Sequence, residues 1–388
     1  MPGPLDGIRI FDATVFMVGP WASMLLGSLG ADVLHVEQPD VDWSDLCAGI
    51  PPTVNGTSVG YLAWNMNKRG VAIDMKIQDE LEFAYGLIET CDVFLCNMRA
   101  GAADRLGLGY EKLSALNPRL VYCLATGQGR SGPRTNQRGT DNSIQALTGF
   151  WSAQGARGED GEMYRHYAQL DATTGNVMAQ AILLALYTRK RTGRGQFVEV
   201  TMLDASATLQ ATRLAEQFAG VMHEPQGSSA FPTAPDRAFR CLDNRWIGVT
   251  ATSDPEWDSL CRAVGRTELS ADARFETNAA RVRNRSALED ILVGVFLSHP
   301  RPYWELILSR AGVVWGAPMG WEELRHHAQV TENESLIEVD TVAWGKIWAG
   351  GPPWHFSKTP ARVFGPPIPG IDTDELKHEL ESLKKVDQ

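Results

Sequence analysis

Cysteine is sparse and unpatterned in this 388-residue chain. Its six cysteines (Cys47, Cys91, Cys96, Cys123, Cys241 and Cys261) include no Cys-x-x-Cys pair, so neither a disulfide framework nor a zinc site is indicated. The eight histidines show no His-Glu-x-x-His motif or other ligand spacing, and no metal is expected. No apolar run reaches the length of a bilayer, and Met1-Pro-Gly-Pro-Leu-Asp6 lacks the charge and apolar pattern of a signal peptide. The expectation is therefore a cytoplasmic protein with no membrane association. A basic excess is missing as well. A net charge of −11 argues against a nucleic-acid partner, but a few local cations suffice to hold a small anionic ligand. Internal repeats and low-complexity segments are absent.

What is present is the composition of a soluble globular protein, 44% hydrophobic and 21% charged, long enough for two domains. The first 125 residues alternate strand and helix patterns. Strands are expected at Ile8–Asp12, Ala31–Glu37, Gly70–Asp74, Val93–Cys96 and Leu120–Ala125. Helices are expected at Gly19–Gly30, 78–90 and 101–116. This alternation predicts a mostly parallel sheet covered on both faces. A long helix over 172–190, a strand over 196–201 and a helix over 202–222 follow. A Pro/Gly/Ser-rich stretch from His223 then opens a linker over 223–238. Beyond it the pattern changes to a hairpin over Phe239–Thr250 turning at Asp243-Asn244, a helix opening at Ser253 and helical sequence over 286–311. The division is a large α/β domain over 1–222, a smaller α+β domain over 239–325, and a linker and return segment over 326–388, with a charged helix near 374–385. His326-His327 reads as an exposed helix pair.

Three features carry chemistry. Asp171, in Tyr164-Arg-His-Tyr-Ala-Gln-Leu-Asp171, stands at a helix start, where backbone N–H groups can steady a carboxylate aimed at one point. Its bland alternative is that Asp171 or Thr173 caps the helix. His166 lies close enough in sequence to share that site, with a structural histidine, the commoner case, as its alternative. Second, Lys68, Arg69, Lys76, Arg99, Arg105 and Arg138 fall where loops should leave the carboxyl ends of strands, the edge at which open α/β sheets bind ligands. Ordinary surface charge is the alternative for each. Third, Gly127-Gln-Gly-Arg-Ser-Gly132 fits G-x-G-x-x-G, but Pro133 and the sequence after it preclude the helix a dinucleotide site needs. The reading is a glycine loop that permits a close backbone approach. Among the twelve tryptophans, most belong to core or interface; Trp21, Trp151 and Trp315 are candidates for contact with an extended apolar acid.

Taken together, these segments resemble the class III CoA-transferase family, the CaiB/BaiF type that includes formyl-CoA transferase and carnitine CoA-transferase. The likeness runs through Pro4–Asp12, Gly19-Pro20, Leu29–Glu37, Asn65–Arg69, Asn97–Arg99, Asp104–Glu111, Gly127–Gly129, Asp141–Gly149, Thr192–Gln196, Phe356–Pro360 and Thr373–Glu375. It implies a Rossmann-like large domain and a homodimer, or a heterodimer with a related subunit, of interlocked rings. It implies Asp171 as nucleophile and coenzyme A contacts near Phe16, Met17, Lys76, Asn97, Met98, Arg105 and Arg138, to which the basic cluster adds Arg99. The implied reaction takes acyl-CoA and a carboxylic acid as substrates and passes through aspartyl anhydrides and an aspartyl-CoA thioester.

Departures narrow the substrate. Formyl-CoA transferase has a glutamine where this chain has Met17 and a basic residue where it has Gln38. Its glycine-run lid has no counterpart between Thr250 and Val330, and Asp40–Asp45 lacks the usual arginine, so oxalate and formate are not expected. An acyl-CoA racemase of the same fold is the nearest alternative. Those enzymes, however, carry a histidine where this chain has Thr140 in Gly139-Thr140-Asp141, and a hydroxyl is no base near neutral pH. A non-catalytic subunit of a heteromeric transferase is the third reading.

Overall fold

The computed structural model describes residues 2–39, 50–152, 154–155, 166–221, 225, 227–229 and 232–386. The chain divides into two compact units. One comprises Met1–Phe150, Arg165–Gly220 and His327–Gln388; the other comprises Trp151–Tyr164 and Val221–His326.

The first unit is built on strands β1 (Arg9–Ala13), β2 (Asp32–Glu37), β5 (Arg69–Ala72), β6 (Val93–Cys96), β7 (Val121–Thr126) and β8 (Phe197–Thr201), with a small hairpin of β3 (Thr53–Val54) and β4 (Thr57–Ser58). The six-stranded sheet has the order β5-β2-β1-β6-β7-β8, and every pairing in it is parallel. Counted along this sheet alone, that is the 3-2-1-4-5-6 order of a doubly wound fold, whose switch point falls between β1 and β6. The expected α/β fold with a parallel sheet is thus present.

Both faces are covered because successive strand residues alternate. Ile10, Val33, Leu95 and Cys123 face a core shared with helices Val18–Ser28 and Gln169–Thr192. Phe11, Leu34, Phe94 and Tyr122 face the other core, which is shared with helices Gln78–Glu89, Tyr110–Leu116 and Thr373–Val386. The last of these helices closes the β5 edge. Asp372 accepts the Gly70 N–H at 2.7 Å and Thr373 Oγ1 accepts that of Ala72 at 3.0 Å, so otherwise open donors are paired.

Several expected elements are broken. The 101–116 helix is two short helices, Ala102–Arg105 and Tyr110–Leu116, parted at Gly107-Leu-Gly109. The 202–222 helix splits at Gln210 into Met202–Leu209 and Ala211–Phe218. The 286–311 stretch splits into Arg285–Phe296 and Arg301–Arg310, where Pro300 cannot continue a helix. His326 and His327 are not a helix pair but the junction between Trp321–Arg325 and Ala328–Glu332.

The second unit carries a three-stranded antiparallel sheet of Asp236–Arg240, Trp246–Thr250 and Val314–Gly316. Asn244 takes the left-handed conformation that the Asp243-Asn244 turn requires. Ser253 and Glu256 form a capping box at the next helix. Its core holds Phe239, Trp257, Phe275, Phe296 and Trp304.

Candidate active site

The strand order places a cleft of about 800 Å³ along the carboxyl edge of the sheet in the first unit. Its walls are the segments that leave β1 (Ala13–Val18), β2 (His35–Gln38), β5 (Ile73–Lys76), β6 (Asn97–Arg99 and Arg105) and β7 (Ala125–Gly129). All nine site residues read from the sequence line it: Phe16, Met17, Lys76, Asn97, Met98, Arg99, Arg105, Arg138 and Asp171. Lys76, Arg99, Arg105 and Arg138 are exposed at its surface, so the cleft offers four cations to an anionic ligand, beside the carboxylates Glu37, Asp74, Asp141 and Asp171 that also line it.

Lys68 and Arg69 do not belong to that set. Arg69 opens β5 at the opposite edge of the sheet and pairs with Glu375 of the final helix at 3.0 Å. Lys68 is buried. Its Nζ lies 3.1 Å from Asp12 and 2.7 Å from Asn65 Oδ1, beneath the cleft floor.

Asp12 is the centre of a buried charge cluster that sequence reasoning missed. It receives Thr14 N–H at 3.1 Å, the Thr14 hydroxyl, Ser23 Oγ at 2.6 Å, Lys68, and His35 Nδ1 at 3.1 Å. Burial opposes its ionisation, but the Lys68 ammonium, His35 and the hydroxyl donors outweigh that cost and hold the carboxyl well below the usual carboxylate range. His35 and Asn65 both line the cleft, so the cluster supports its floor directly. The available signal was an aspartate and a histidine each set directly between apolar strand residues, Phe11-Asp12-Ala13 and Leu34-His35-Val36.

Asn97 is committed to the protein itself. Its amide grips the Val15 peptide, accepting the N–H at 3.0 Å and donating to the carbonyl at 2.7 Å. That grip fixes the turn in which Phe16 has φ 62° and Met17 precedes the first helix. Across the cleft, Gln38 donates to Asp74 at 3.0 Å, and Glu37 accepts the Tyr61 hydroxyl at 3.0 Å.

Asp171 lies in the first turn of helix Gln169–Thr192 and is half-buried. The helix begins at Ala168, which has φ 55° and no side-chain cap, while Thr173 bonds back to the Gln169 carbonyl at 2.7 Å. Neither Asp171 nor Thr173 is therefore the N-cap. The helix also packs closely on helix Val18–Ser28 through Gly175, one turn after Asp171. Residues four apart share a helix face, so Asp171 lies on the face that Gly175 packs with, and it lines the cleft together with Phe16 and Met17.

The glycine loop makes its close approach to the protein's own backbone. A β-carbon on Gly127 would lie 2.5 Å from the Cα of Gly139, and no helix follows before Asp141. Thr140, in the position a racemase base would take, accepts the Ser143 N–H as an N-cap. His166 and the tryptophans Trp21, Trp151 and Trp315 are absent from the cleft lining, whereas Trp64 lines it. Trp21 instead donates to Asn176, and Trp315 belongs to the second unit's sheet. The Asp40–Asp45 loop lies outside the described residues. Among those described, no cluster of His, Cys, Asp or Glu could hold a metal, and no helix is long and apolar enough to cross a membrane.

Comparison with known proteins agrees with this geometry. Residues 5–375 match the profile described as CoA-transferase family III. The chain is 31% identical to succinyl-CoA:glutarate CoA-transferase of Mus musculus, over 99% of this chain and 87% of that protein. It is 32% identical to an acyl-CoA transferase of Fusarium pseudograminearum, over 97% and 85%. The crystal structure of a CaiB/BaiF family protein from Brucella suis superposes with a TM-score of 0.86 at 29% identity, over 98% of this chain and all of that one. A doubly wound sheet, a cleft at its switch point with four exposed cations, and Asp171 in that cleft thus accompany a match along almost the whole chain, which belongs to CoA-transferase family III.

Proposed function

We propose that this protein transfers CoA from an acyl-CoA donor to a carboxylic acid acceptor, with Asp171 as the covalent nucleophile. The observation that carries this reading is the convergence of Asp171, the Phe16-Met17 turn and four exposed cations on one cleft.

An Asp171 oxygen attacks the donor's thioester carbonyl and the C–S bond breaks, giving an aspartyl-acyl anhydride and CoA thiolate. The thiolate attacks the aspartyl carbonyl, and the donor leaves as its carboxylate. The resulting aspartyl-CoA thioester is attacked by the acceptor carboxylate, which expels CoA thiolate and forms a second anhydride. Attack of the thiolate on the acceptor's carbonyl then yields the new acyl-CoA and restores Asp171. The thioester bond is conserved, so no ATP is consumed, but water must be excluded from both anhydrides.

Lys76, Arg99, Arg105 and Arg138 supply charge-assisted donors for the phosphates of CoA. Binding the nucleotide half holds the thiol near the Asp171 carbonyl. Backbone around Gly127 and Gly129 supplies donors for the oxyanions of the tetrahedral intermediates. The mouse relative's name puts dicarboxylates first among acceptors to examine. The active assembly, on this reading, is a dimer of this chain or of this chain with a related subunit.

The test is to incubate purified protein with a panel of acyl-CoAs and carboxylic acids and to follow new thioesters by mass spectrometry, with hydroxylamine present in parallel. CoA transfer that vanishes in Asp171→Asn, together with a hydroxamate on Asp171 in the wild type, supports the proposal. Undiminished transfer by the folded variant rejects it, as does release of free CoA alone.

A further inference from the structure

We infer that Asp141 and Gln145 are positioning residues that aim Asp171; the inference rests on the role proposed for Asp171. Helix Gln169–Thr192 begins at Ala168, which has no side-chain acceptor, so the first N–H groups of the helix need acceptors from elsewhere. Asp141 provides one from another helix. Its Oδ1 accepts the Leu170 N–H at 2.8 Å, one residue before Asp171, and the bond is buried. Its Oδ2 accepts Gln145 Nε2 at 2.7 Å. The same nitrogen donates to the His166 carbonyl at 2.7 Å, so the segment leading into the helix is held as well. Asp141 is 4% exposed and Gln145 is fully buried.

The anchor is itself fixed. Asp141 is the first residue of helix Asp141–Leu147, whose N-terminus is closed by the Thr140–Ser143 capping box. Two helix starts are thereby joined through one carboxylate. The Asp171 backbone is pinned from its N-terminal side by Asp141 and from its C-terminal side by Gly175 against Trp21. A nucleophile that must meet two different carbonyls and a returning thiolate needs this constraint more than the binding of CoA does.

Asp141→Asn places an amide nitrogen against the Gln145 donor, or else turns Gln145 so that its oxygen faces the His166 carbonyl. Either arrangement releases one end of the latch. The experiment measures steady-state kinetics and single-turnover acylation of Asp171 by intact-protein mass spectrometry, for Asp141→Asn, Gln145→Leu and Asp171→Asn. The expected result for Asp141→Asn is a fall in kcat and in acylation rate of roughly 30- to 100-fold, with KM for acyl-CoA within about two-fold of wild type. Gln145→Leu, which keeps the Asp141–Leu170 bond, shows the same split with a smaller fall. It also carries the test should Asp141→Asn fail to fold.

Wild-type kcat in a folded variant overturns the latch. So does a rise in KM that matches the fall in kcat, because that describes general loosening of the cleft. The two ideas fail separately. If Asp171→Asn still transfers CoA, the nucleophile reading is lost; if Asp171→Asn is inactive while both latch variants turn over normally, only the latch is lost.

Discussion

Gly175 abuts Trp21 so closely that a β-carbon added to the glycine would lie 2.8 Å from Trp21 Cδ1 and equally close to the Val18 carbonyl oxygen. The rigid ring and the backbone oxygen cannot both give way, so a methyl group at 175 must push two helices apart. Gly175→Ala gains helix propensity but loses packing, and the expected net effect is a destabilisation of about 1–3 kcal/mol. Because Asp171 lies one turn away on the same face, kcat should also fall by about ten-fold. Chemical denaturation and steady-state kinetics on the same preparation check both effects, and an unchanged midpoint counts against the packing argument.

Beneath the cleft, the Asp12 carboxylate depends on Lys68. Removing the cation in Lys68→Met leaves a charge without its counterion in a fully buried position, at an expected cost of about 3–5 kcal/mol. Asp12→Asn combined with Lys68→Met should be less damaging than Lys68→Met alone, because no charge is then stranded. The pH dependence has a fixed sign. Asp12 is held below its unfolded value, so its contribution is complete above about pH 4 and is lost as pH falls through the folded pKa. Urea midpoints between pH 2.5 and 6 should therefore fall steeply at the acid end in the wild type. A curve of the same shape in the double variant would exclude this origin.

Asn97→Ala deprives the Val15 N–H and carbonyl of both partners at once. The loss of stability should be about 1–3 kcal/mol, and the loop bearing Phe16 should lose its fixed entry into the cleft. Calorimetric titration with CoA should show weaker binding than wild type. Equal affinity would mean that the loop is held by other contacts.

Arg105→Ala and Arg138→Ala each remove an exposed cation from the cleft. On the proposed role, each should raise KM for acyl-CoA by about ten-fold, leave KM for the acceptor acid nearly unchanged, and reduce the salt sensitivity of binding. A selective rise in the acceptor KM would move these residues from the nucleotide half to the acid.

Much of this architecture was legible before the fold was known, because buried parallel strands are written as short apolar runs such as Val93-Phe-Leu-Cys96. The cations destined for the cleft were legible for the same reason, since the loops after those strands must gather at one edge. Two adjacent residues mark the limit. Lys68 turns inward to Asp12, while Arg69 pairs with Glu375, more than 300 positions away. Local sequence holds no signal for that divergence, which is decided by tertiary partners. The break at Pro300 carried a clear signal, whereas the break at Gln210 carried neither glycine nor proline. The latch was hidden for another reason. Asp141 satisfies a helix whose own cap position holds alanine, a relation between segments 29 residues apart.

The thiols offer a test of the core itself. Cys91, Cys96, Cys123, Cys241 and Cys261 are all buried and free. Burial pushes the Cys96 and Cys241 thiols up to about 11 and the Cys261 thiol up to about 12, and it raises those of Cys91 and Cys123 further still. The thiolate is the reactive form, so at pH 8 both access and ionisation oppose alkylation. Iodoacetamide added to the folded protein at that pH should leave all five unlabelled, while the same treatment in concentrated guanidinium should label each one. Peptide mapping separates them from Cys47, which lies outside the described residues. Labelling of Cys96 or Cys123 at native pH would show that the sheet between β6 and β7 opens. In that case the strand edge that carries Asn97, and with it the Val15–Met17 turn, could not be the rigid wall that the cleft requires.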